Sequence, residues 1–276
     1  MAHVLQVGAG SGGMPVLDML GRDPRVTRVT LIEPDVYKPH NVERHLFPAA
    51  AVGEPKAELA RQWLRERRPE LEVRLLTCDL TDPAAQGEVE RAAAAADLGV
   101  CAADNEPAKY HWDGLMRRHG KPWTLGEVLS GGIGGFVHCF RPGGPCYGCV
   151  ASYLQRSVTV EQEKIPDYSQ PGGPRPELTV PAVKAAIEAI AALHALVTLG
   201  LLEDAEGYEP GFTSLLLTLR RVPGVFEEAF RPYRFRIARS ADCLICRPLP
   251  ESGLGASPAE ELDVALDQAL ARLGDA

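Results

Sequence analysis

The stretch HVLQVGAGSGG, at residues 3–13, decides the fold, because an apolar run passes directly into a cluster of glycines. The apolar run predicts a strand over residues 2–7, and a helix is predicted over 15–20. The glycines between them satisfy the G-x-G-x-x-G pattern at Gly8, Gly10 and Gly13. Glycines in this context allow a tight turn and let a phosphate approach the backbone, while the helix N-terminus supplies positive potential. The stretch therefore predicts a nucleotide-binding loop; the alternative is a glycine-rich turn without a ligand.

Short apolar runs alternate with amphipathic stretches over the first 140 residues, which is the pattern of a parallel α/β sheet. Four more strands are predicted over 28–32, 71–76, 97–101 and 123–128. Helices are predicted between them over 55–68, 84–96 and 106–119. Glu33 lies about 20 residues past the glycine loop, at the end of the second strand, where it would bind ribose hydroxyls.

The alternation ends after the fifth strand. Residues 131–140 follow through glycines without a helix, which predicts an antiparallel strand. The proline- and glycine-rich segment at about 155–180 predicts a mobile functional loop, and the apolar segment 181–201 predicts a buried helix. Two more strands are predicted over 212–219 and 233–238. The predicted fold class is α/β, with a Rossmann-like, mostly parallel sheet, helices on both of its faces and antiparallel strands continuing it.

The end of the chain has the pattern of an amphipathic helix, with Ser257 as N-cap, Pro258 at the first position and Glu260 closing a capping box. We therefore divide the chain into one domain at 1–250 and a C-terminal helix at 251–276.

Composition excludes several classes of protein. The 276 residues are 45% hydrophobic and 24% charged, which fits a folded core and not a disordered chain. A net charge of -8 opposes nonspecific nucleic-acid binding. No apolar run is expected to span a bilayer and no leader precedes the first strand, so we expect a soluble, cytoplasmic protein without a membrane contact. Seven cysteines fit poorly with a secreted disulfide framework.

Polar residues after Glu33 decide which nucleotide is expected. A dinucleotide dehydrogenase is the default interpretation of the glycine loop, but such a site has no need for Arg44 and Lys56 beyond the ribose. A triphosphate does, because cations neutralise charge on the polyphosphate and on the leaving pyrophosphate. Asp104 follows the fourth strand, where a carboxylate points into the ligand crevice and can hold magnesium. Taken alone, Arg44 or Lys56 would be a solvated surface charge.

Two Cys-x-x-Cys pairs lie almost a hundred residues apart, at Cys146 and Cys149 and at Cys243 and Cys246. Four thiolates form a closed tetrahedral zinc site, which is structural because no coordination position remains for water. The alternatives are redox dithiols or two coincidental pairs. A redox pair is expected at a helix N-terminus in a thioredoxin-like unit, and the sequence predicts none here.

The ordered set of motifs GAGSGG, IEPDVYKPHNVERH, VGEPK, AADN, GGPCYGC and CLIC resembles the ThiF/MoeB/HesA family, relatives of ubiquitin-activating enzymes. The resemblance runs from about residue 4 to 246. It implies adenylation, by Mg-ATP, of the C-terminal carboxylate of a small ubiquitin-like or sulfur-carrier protein ending in Gly-Gly. By this resemblance, the residues that match the family's nucleotide-binding positions are Gly8, Gly10, Gly13, Glu33, Asn41, Arg44, Lys56 and Asp104, and we add Asp35 as a further nucleotide-binding candidate. We expect Arg44, Lys56 and Asp104 to be catalytic. Glu33 stands where the family has a ribose-binding aspartate.

The chain departs from this family at two points. The 155–180 loop has no cysteine to form a thioester, and Cys78, Cys101 and Cys139 are predicted in or beside strands. Relatives also carry a helix before the first strand that donates an arginine to the partner subunit, and we expect that arginine to be absent or to come from elsewhere. The resemblance further implies a symmetric homodimer.

Three functions therefore compete. The first is an adenylyltransferase acting on a protein or peptide C-terminus. The second is a non-catalytic, zinc-stapled scaffold that binds a ubiquitin-like partner, and the third is an NAD-dependent oxidoreductase. Within the first, sulfur transfer, protein conjugation and a modified ribosomal peptide are not separable on these residues.

Overall fold

Eight strands form one mixed sheet in the computed structural model, which describes residues 1–157, 181–203 and 210–247. The strands are Ala2–Val7 (β1), Val26–Ile32 (β2), Glu72–Leu76 (β3), Leu98–Cys101 (β4), Trp123–Val128 (β5), Gly134–Phe140 (β6), Ser214–Thr218 (β7) and Pro232–Phe235 (β8). Their order in the sheet is β3-β2-β1-β4-β5-β6-β7-β8. The strands from β3 to β5 pair in parallel and those from β5 to β8 antiparallel, as the sequence predicted.

Six α-helices accompany the strands in the described residues. They are Gly13–Arg22 (α1), Lys56–Arg67 (α2), Gln86–Ala95 (α3), Glu106–Arg118 (α4), Tyr147–Ser157 (α5) and Lys184–Leu202 (α6). One core holds Leu17 of α1, Leu64 of α2 and Ala191 of α6 against the sheet. The core on the opposite face includes Trp112 of α4 and Val150 of α5. Helices cover both faces, which confirms the predicted fold class.

The sheet order creates a crevice beside β1. The chain leaves β1 toward β2 on one side and later returns to β4 on the other, so the loops at the carboxyl ends of β1 and β4 diverge and leave room for a ligand. The glycine loop follows β1 and Asp104 follows β4. The fold thus brings the two predicted halves of the site to one edge of the sheet.

Helix α5 is a correction to the sequence analysis, which placed no helix between the strand at 131–140 and a loop beginning near residue 155. Residues 155–157 belong to α5. The sequence obscures the start of this helix, because a proline- and glycine-rich flank precedes it at 142–145 and residues 146–150 are all buried. Positions 158–180 of the predicted loop, and the predicted C-terminal helix at 251–276, lie outside the described residues.

Helix α6 corrects a second expectation. Over its 19 residues it is long and apolar enough to cross a membrane by length and composition alone. Its contacts give it another role, since it packs on α1, β5 and β6 and 56% of it is buried in the fold. It is a core helix of the sheet's α1 face, and the predicted burial of this segment is confirmed.

Candidate nucleotide site

Close backbone contacts explain why the loop after β1 needs glycine. Gly8 has a φ of 91°, and a Cβ built on it would lie 2.6 Å from the carbonyl oxygen of Ala102, at the end of β4. A Cβ on Gly13 would collide with the carbonyl oxygen of Gly8. At Gly10, by contrast, a built Cβ has no atom within 4 Å. The loop is therefore packed tightly at both ends and open in the middle, on the side where a phosphate would approach.

Gln6 holds the two ends of the glycine loop together. Its side chain is fully buried, and its Nε2 donates hydrogen bonds to the carbonyl oxygens of Gly8 and Gly13, each at 2.8 Å. Sequence analysis did not select this residue. An amide inside a mostly apolar strand was the available signal, since a buried amide needs partners.

The backbone of Ala9 is fixed at both its N–H and its carbonyl oxygen. Its N–H donates to Glu33 Oε2 at 2.5 Å, and its carbonyl oxygen accepts from His45 Nε2 at 2.9 Å. The other oxygen of Glu33 accepts from the Asp35 N–H at 2.9 Å. Burial raises the pKa of Glu33, although these hydrogen bonds oppose the shift. Burial also lowers the pKa of His45 to about 4, so its imidazole is neutral near pH 7.

Lys56 approaches the crevice from the first turn of α2. Its side chain is 8% exposed, and its ammonium lies 2.8 Å from the carboxylate of Asp35, which is 55% exposed. Asp35 thus acts here as the partner that orients Lys56. The Oδ1 of Asn41 accepts from the Lys38 N–H at 3.1 Å within a 3-10 turn, so Asn41 shapes the turn that leads to Arg44.

The side chains of Arg44 and Asp104 have no close partner among the described residues. The Nε of half-buried Arg44 is buried and has no hydrogen-bond acceptor there. A buried guanidinium nitrogen without an acceptor fits an anion that binds at that place. Asp104 is exposed at the end of β4, and the next residue, Asn105, caps α4 by accepting from the Ala108 N–H at 2.9 Å.

The four cysteines of the two pairs meet in one cluster, and their Sγ atoms all lie within 4.8 Å of one another. Cys146 Sγ lies 3.5 Å from Cys243 Sγ and 3.7 Å from Cys149 Sγ, and Cys149 Sγ lies 3.5 Å from Cys246 Sγ. Four sulfurs at about 2.3 Å from a tetrahedral zinc ion are about 3.8 Å apart, so the donor set fits zinc. One argument of the sequence analysis was wrong, because Cys146 and Cys149 do lie at a helix N-terminus, that of α5.

The cysteine cluster lies away from the nucleotide crevice. It follows Phe140 at the end of β6, and Phe140 pairs with Trp123 at the beginning of β5. Since the crevice is at the carboxyl ends of β1 and β4, the cluster is at the opposite edge of the sheet. It joins the start of α5 to the turn after β8.

The remaining thiols have surroundings that oppose nucleophilic chemistry. Cys101 is fully buried at the end of β4, and burial raises its pKa to about 12. Burial likewise raises the pKa of half-buried Cys78. Cys139 is 5% exposed on β6. Because the thiolate is the nucleophile, Cys78 and Cys101 are poorly suited to attack at neutral pH.

Comparison with known proteins supports the architecture and the motifs. The ThiF family model matches residues 1–229. The chain is 36% identical over 154 residues to the sulfur carrier protein adenylyltransferase of Thermus thermophilus, covering 54% of this chain and 55% of that protein. It is 29% identical over 150 residues to the SAMP-activating enzyme E1 of Haloferax volcanii, covering 54% of this chain and 53% of that protein. The chain therefore matches about half the length of these curated relatives.

Solved structures share the fold at low sequence identity. Crystal structures of E. coli MccB superpose with a TM-score of 0.66 at 18% identity, over 89% of this chain and 66% of MccB. The complex of MccB with ATP gives a TM-score of 0.64, and PaaA gives 0.59 at 12% identity. The family model covers most of the chain. The chain belongs to the ThiF family.

Proposed function

We propose that this protein uses ATP to adenylate the C-terminal carboxylate of a small ubiquitin-like or sulfur-carrier protein, with release of pyrophosphate. The observation that supports the proposal most is the packing of the glycine loop against the two segments that carry predicted charged residues. Gly8 lies against Ala102, two residues before Asp104, and the Ala9 carbonyl oxygen accepts from His45, the neighbour of Arg44. The names of the relatives, a sulfur carrier protein adenylyltransferase and a SAMP-activating enzyme, support the substrate class.

The reaction needs charge stabilisation more than proton transfer. The acceptor carboxylate is already ionised at neutral pH, so it attacks the α-phosphorus without a general base, and the bond to pyrophosphate breaks. Glu33 holds the ribose, while Arg44 and Lys56 neutralise the charge that develops on the leaving pyrophosphate. Asp104 would hold magnesium, which supplies Lewis-acid stabilisation of the phosphate oxygens. Positioning by the glycine loop provides the remaining part of the rate.

Zinc in the four-cysteine cluster would have no direct part in this chemistry. With four thiolates the coordination sphere is closed, and the cluster lies at the far edge of the sheet. We propose that zinc anchors the turn after β8 to α5 and so stabilises the antiparallel half of the sheet.

We further propose that the product is the acyl-adenylate itself, without a thioester on this chain. The sequence has no cysteine over 155–180, and Cys101 is buried with a raised pKa. Incubation with a carrier and Mg-ATP should give no adduct sensitive to dithiothreitol on a non-reducing gel. An adduct that disappears when Cys78, Cys101 or Cys139 is replaced by serine would contradict this part of the proposal.

Two alternatives make different predictions for the same crevice. A non-catalytic scaffold has no physical need for all three of Arg44, Lys56 and Asp104, and an oxidoreductase would bind NAD and ignore magnesium.

The homodimer that the resemblance implies is proposed here as well, and light scattering on the purified chain checks it directly. If light scattering gives the mass of a single chain, the proposed dimer is wrong, but the proposed adenylation activity is unaffected.

The experiment that tests the proposed function is detection of the adenylate. The purified chain is incubated with Mg-ATP and each of a panel of small carrier proteins ending in Gly-Gly, and the intact mass of the carrier is measured. We expect one AMP to be added to a matching carrier and none to the same carrier without its terminal Gly-Gly. ATP binding without adenylation of any carrier or peptide would favour the scaffold instead.

A further inference from the structure

The first turn of helix α6 lies against the glycine loop. A Cβ built on Gly12 would lie 3.8 Å from Ile187 Cγ2, which is ordinary van der Waals contact. The helix begins at Lys184, one turn before Ile187. A cation therefore stands at the border of the nucleotide crevice, on an element that the proposed mechanism does not use.

Lys184 contacts the same turn that carries Arg44. Its Nζ donates to the carbonyl oxygen of His45 at 3.3 Å and lies 2.6 Å from the carboxylate of Glu188. The imidazole of His45 in turn contacts the Ala9 carbonyl oxygen of the glycine loop. Lys184 is thus two contacts away from the part of the loop that is open to a phosphate.

Three cations surround this turn. Arg44 precedes His45 in the chain, and the charges of Lys56 and Lys184 both add to the effect of burial in lowering the pKa of His45. Two of the three have carboxylate partners, Asp35 for Lys56 and Glu188 for Lys184. Both carboxylates are more than 40% exposed, so neither neutralises its cation as a buried partner would.

An ammonium has three N–H donors, and the contacts to His45 and Glu188 account for two of them. The Lys184 side chain is 36% exposed on a flexible four-carbon stem. It therefore retains a donor and the freedom to turn toward a phosphate bound over Gly10.

We propose that Lys184 is a third phosphate-binding cation, which contacts the phosphates of ATP beyond the α-phosphate. The inference rests on the proposed function, because it assumes that ATP occupies this crevice. Lys184 then favours a triphosphate over a monophosphate, and it makes the first turn of α6 part of the nucleotide site.

A purely structural role for Lys184 has a different signature. If its only task were to hold the His45 carbonyl, its loss would loosen the Ala9 peptide, which contacts AMP and ATP alike. The ratio of the affinities for ATP and AMP would then stay unchanged. A direct contact to the outer phosphates changes the affinity for ATP alone.

Isothermal titration of the full chain with Mg-ATP and with AMP separates these roles. We expect Lys184→Met to weaken ATP binding by about tenfold to a hundredfold, the effect of one lost charge-assisted hydrogen bond, with AMP affinity unchanged. Lys184→Arg should restore most of the ATP affinity. Glu188→Gln, the matched control that keeps the ammonium, should change ATP affinity by no more than about twofold.

Circular dichroism and the melting temperature verify that each variant is folded. Equal losses of ATP and AMP affinity in Lys184→Met, or no loss of either, would overturn the assignment of Lys184. If the unaltered chain does not bind Mg-ATP, the proposed function fails, and this inference fails with it.

Discussion

Glu33 accepts a hydrogen bond from the backbone N–H of Ala9 across 2.5 Å, so the residue expected to bind ribose also fixes the glycine loop. An ionised carboxylate has about four lone-pair positions on its two oxygens, and the contacts to the N–H groups of Ala9 and Asp35 use two of them. Glu33 can therefore hold the loop and accept from ribose hydroxyls at the same time.

Replacement of Glu33 by glutamine keeps the shape but removes the charge and one acceptor. We expect AMP and ATP to lose affinity by the same factor, about tenfold or more, because both nucleotides carry the ribose. Titration calorimetry with the two nucleotides checks this. A loss confined to ATP would mean that Glu33 acts on the phosphates and not on the ribose.

The pair formed by Asp35 and Lys56 leads to a prediction about rate. Lys56→Met removes a cation from the leaving group and should slow ATP-pyrophosphate exchange by about a hundredfold to a thousandfold, comparable to the loss of an oxyanion donor. Asp35→Asn leaves the Lys56 ammonium in place. It should slow ATP-pyrophosphate exchange by no more than about tenfold, because the Asp35 carboxylate is largely exposed. Equal losses in the two variants would show that Asp35 contacts the reacting groups itself.

His45 predicts a dependence of stability on pH. Its pKa is about 4 in the folded chain against 6.5 for an ordinary histidine, so the unfolded chain binds more protons between these values. The stabilisation is complete above pH 6.5 and is lost as the pH falls toward 4, by about 3 kcal/mol at most. The raised pKa of Glu33 acts in the opposite direction, so only a comparison with a variant isolates His45.

The variant His45→Gln keeps a donor for the Ala9 carbonyl oxygen and does not titrate. Urea unfolding at several pH values should give a shallower loss of the unfolding free energy for this variant between pH 6.5 and 4. A remaining slope is expected, because burial lowers the pKa of His194 to about 3. Identical slopes for the two proteins would contradict a neutral, buried His45.

The four-cysteine cluster predicts one tightly bound zinc ion per chain, measurable by elemental analysis. Cys243→Ser should lose the ion and lower the melting temperature by at least about 5 °C. Cys78→Ser, the control outside the cluster, should keep the zinc ion and the melting temperature of the unaltered chain. AMP affinity at 25 °C should be the same in all three proteins because the cluster is at the opposite edge of the sheet. If the Cys243→Ser chain lacks zinc but melts at the same temperature as the unaltered chain, the proposed structural role of zinc is contradicted.

The sequence predicts the strands and the glycine loop well because these depend on local pattern. Apolar periodicity locates β1 and β2, and the order of strands follows from the alternation with helices. Helix α5 was missed because glycines and prolines before Cys146 indicate a turn and only the packing of Cys149 and Val150 reveals the helical face.

The supporting residues of the site were harder to find. Gln6, His45 and Lys184 act through partners that are distant in sequence or that lie on the backbone. No spacing rule points to them, because their role depends on how α6 and the turn at Arg44 pack on the loop. For Gln6 and Lys184 the local signals were a polar residue inside β1 and a cation at the start of an apolar helix, and His45 is the last residue of the motif IEPDVYKPHNVERH.

The central claim is that this crevice activates a carboxylate with Mg-ATP, and ATP-pyrophosphate exchange tests it most directly. We expect exchange only when magnesium, ATP and a carrier protein ending in Gly-Gly are all present, and we expect Asp104→Asn to reduce its rate by at least about a hundredfold. Exchange that proceeds at the same rate in Asp104→Asn, or a chain that does not bind Mg-ATP at all, would contradict the account.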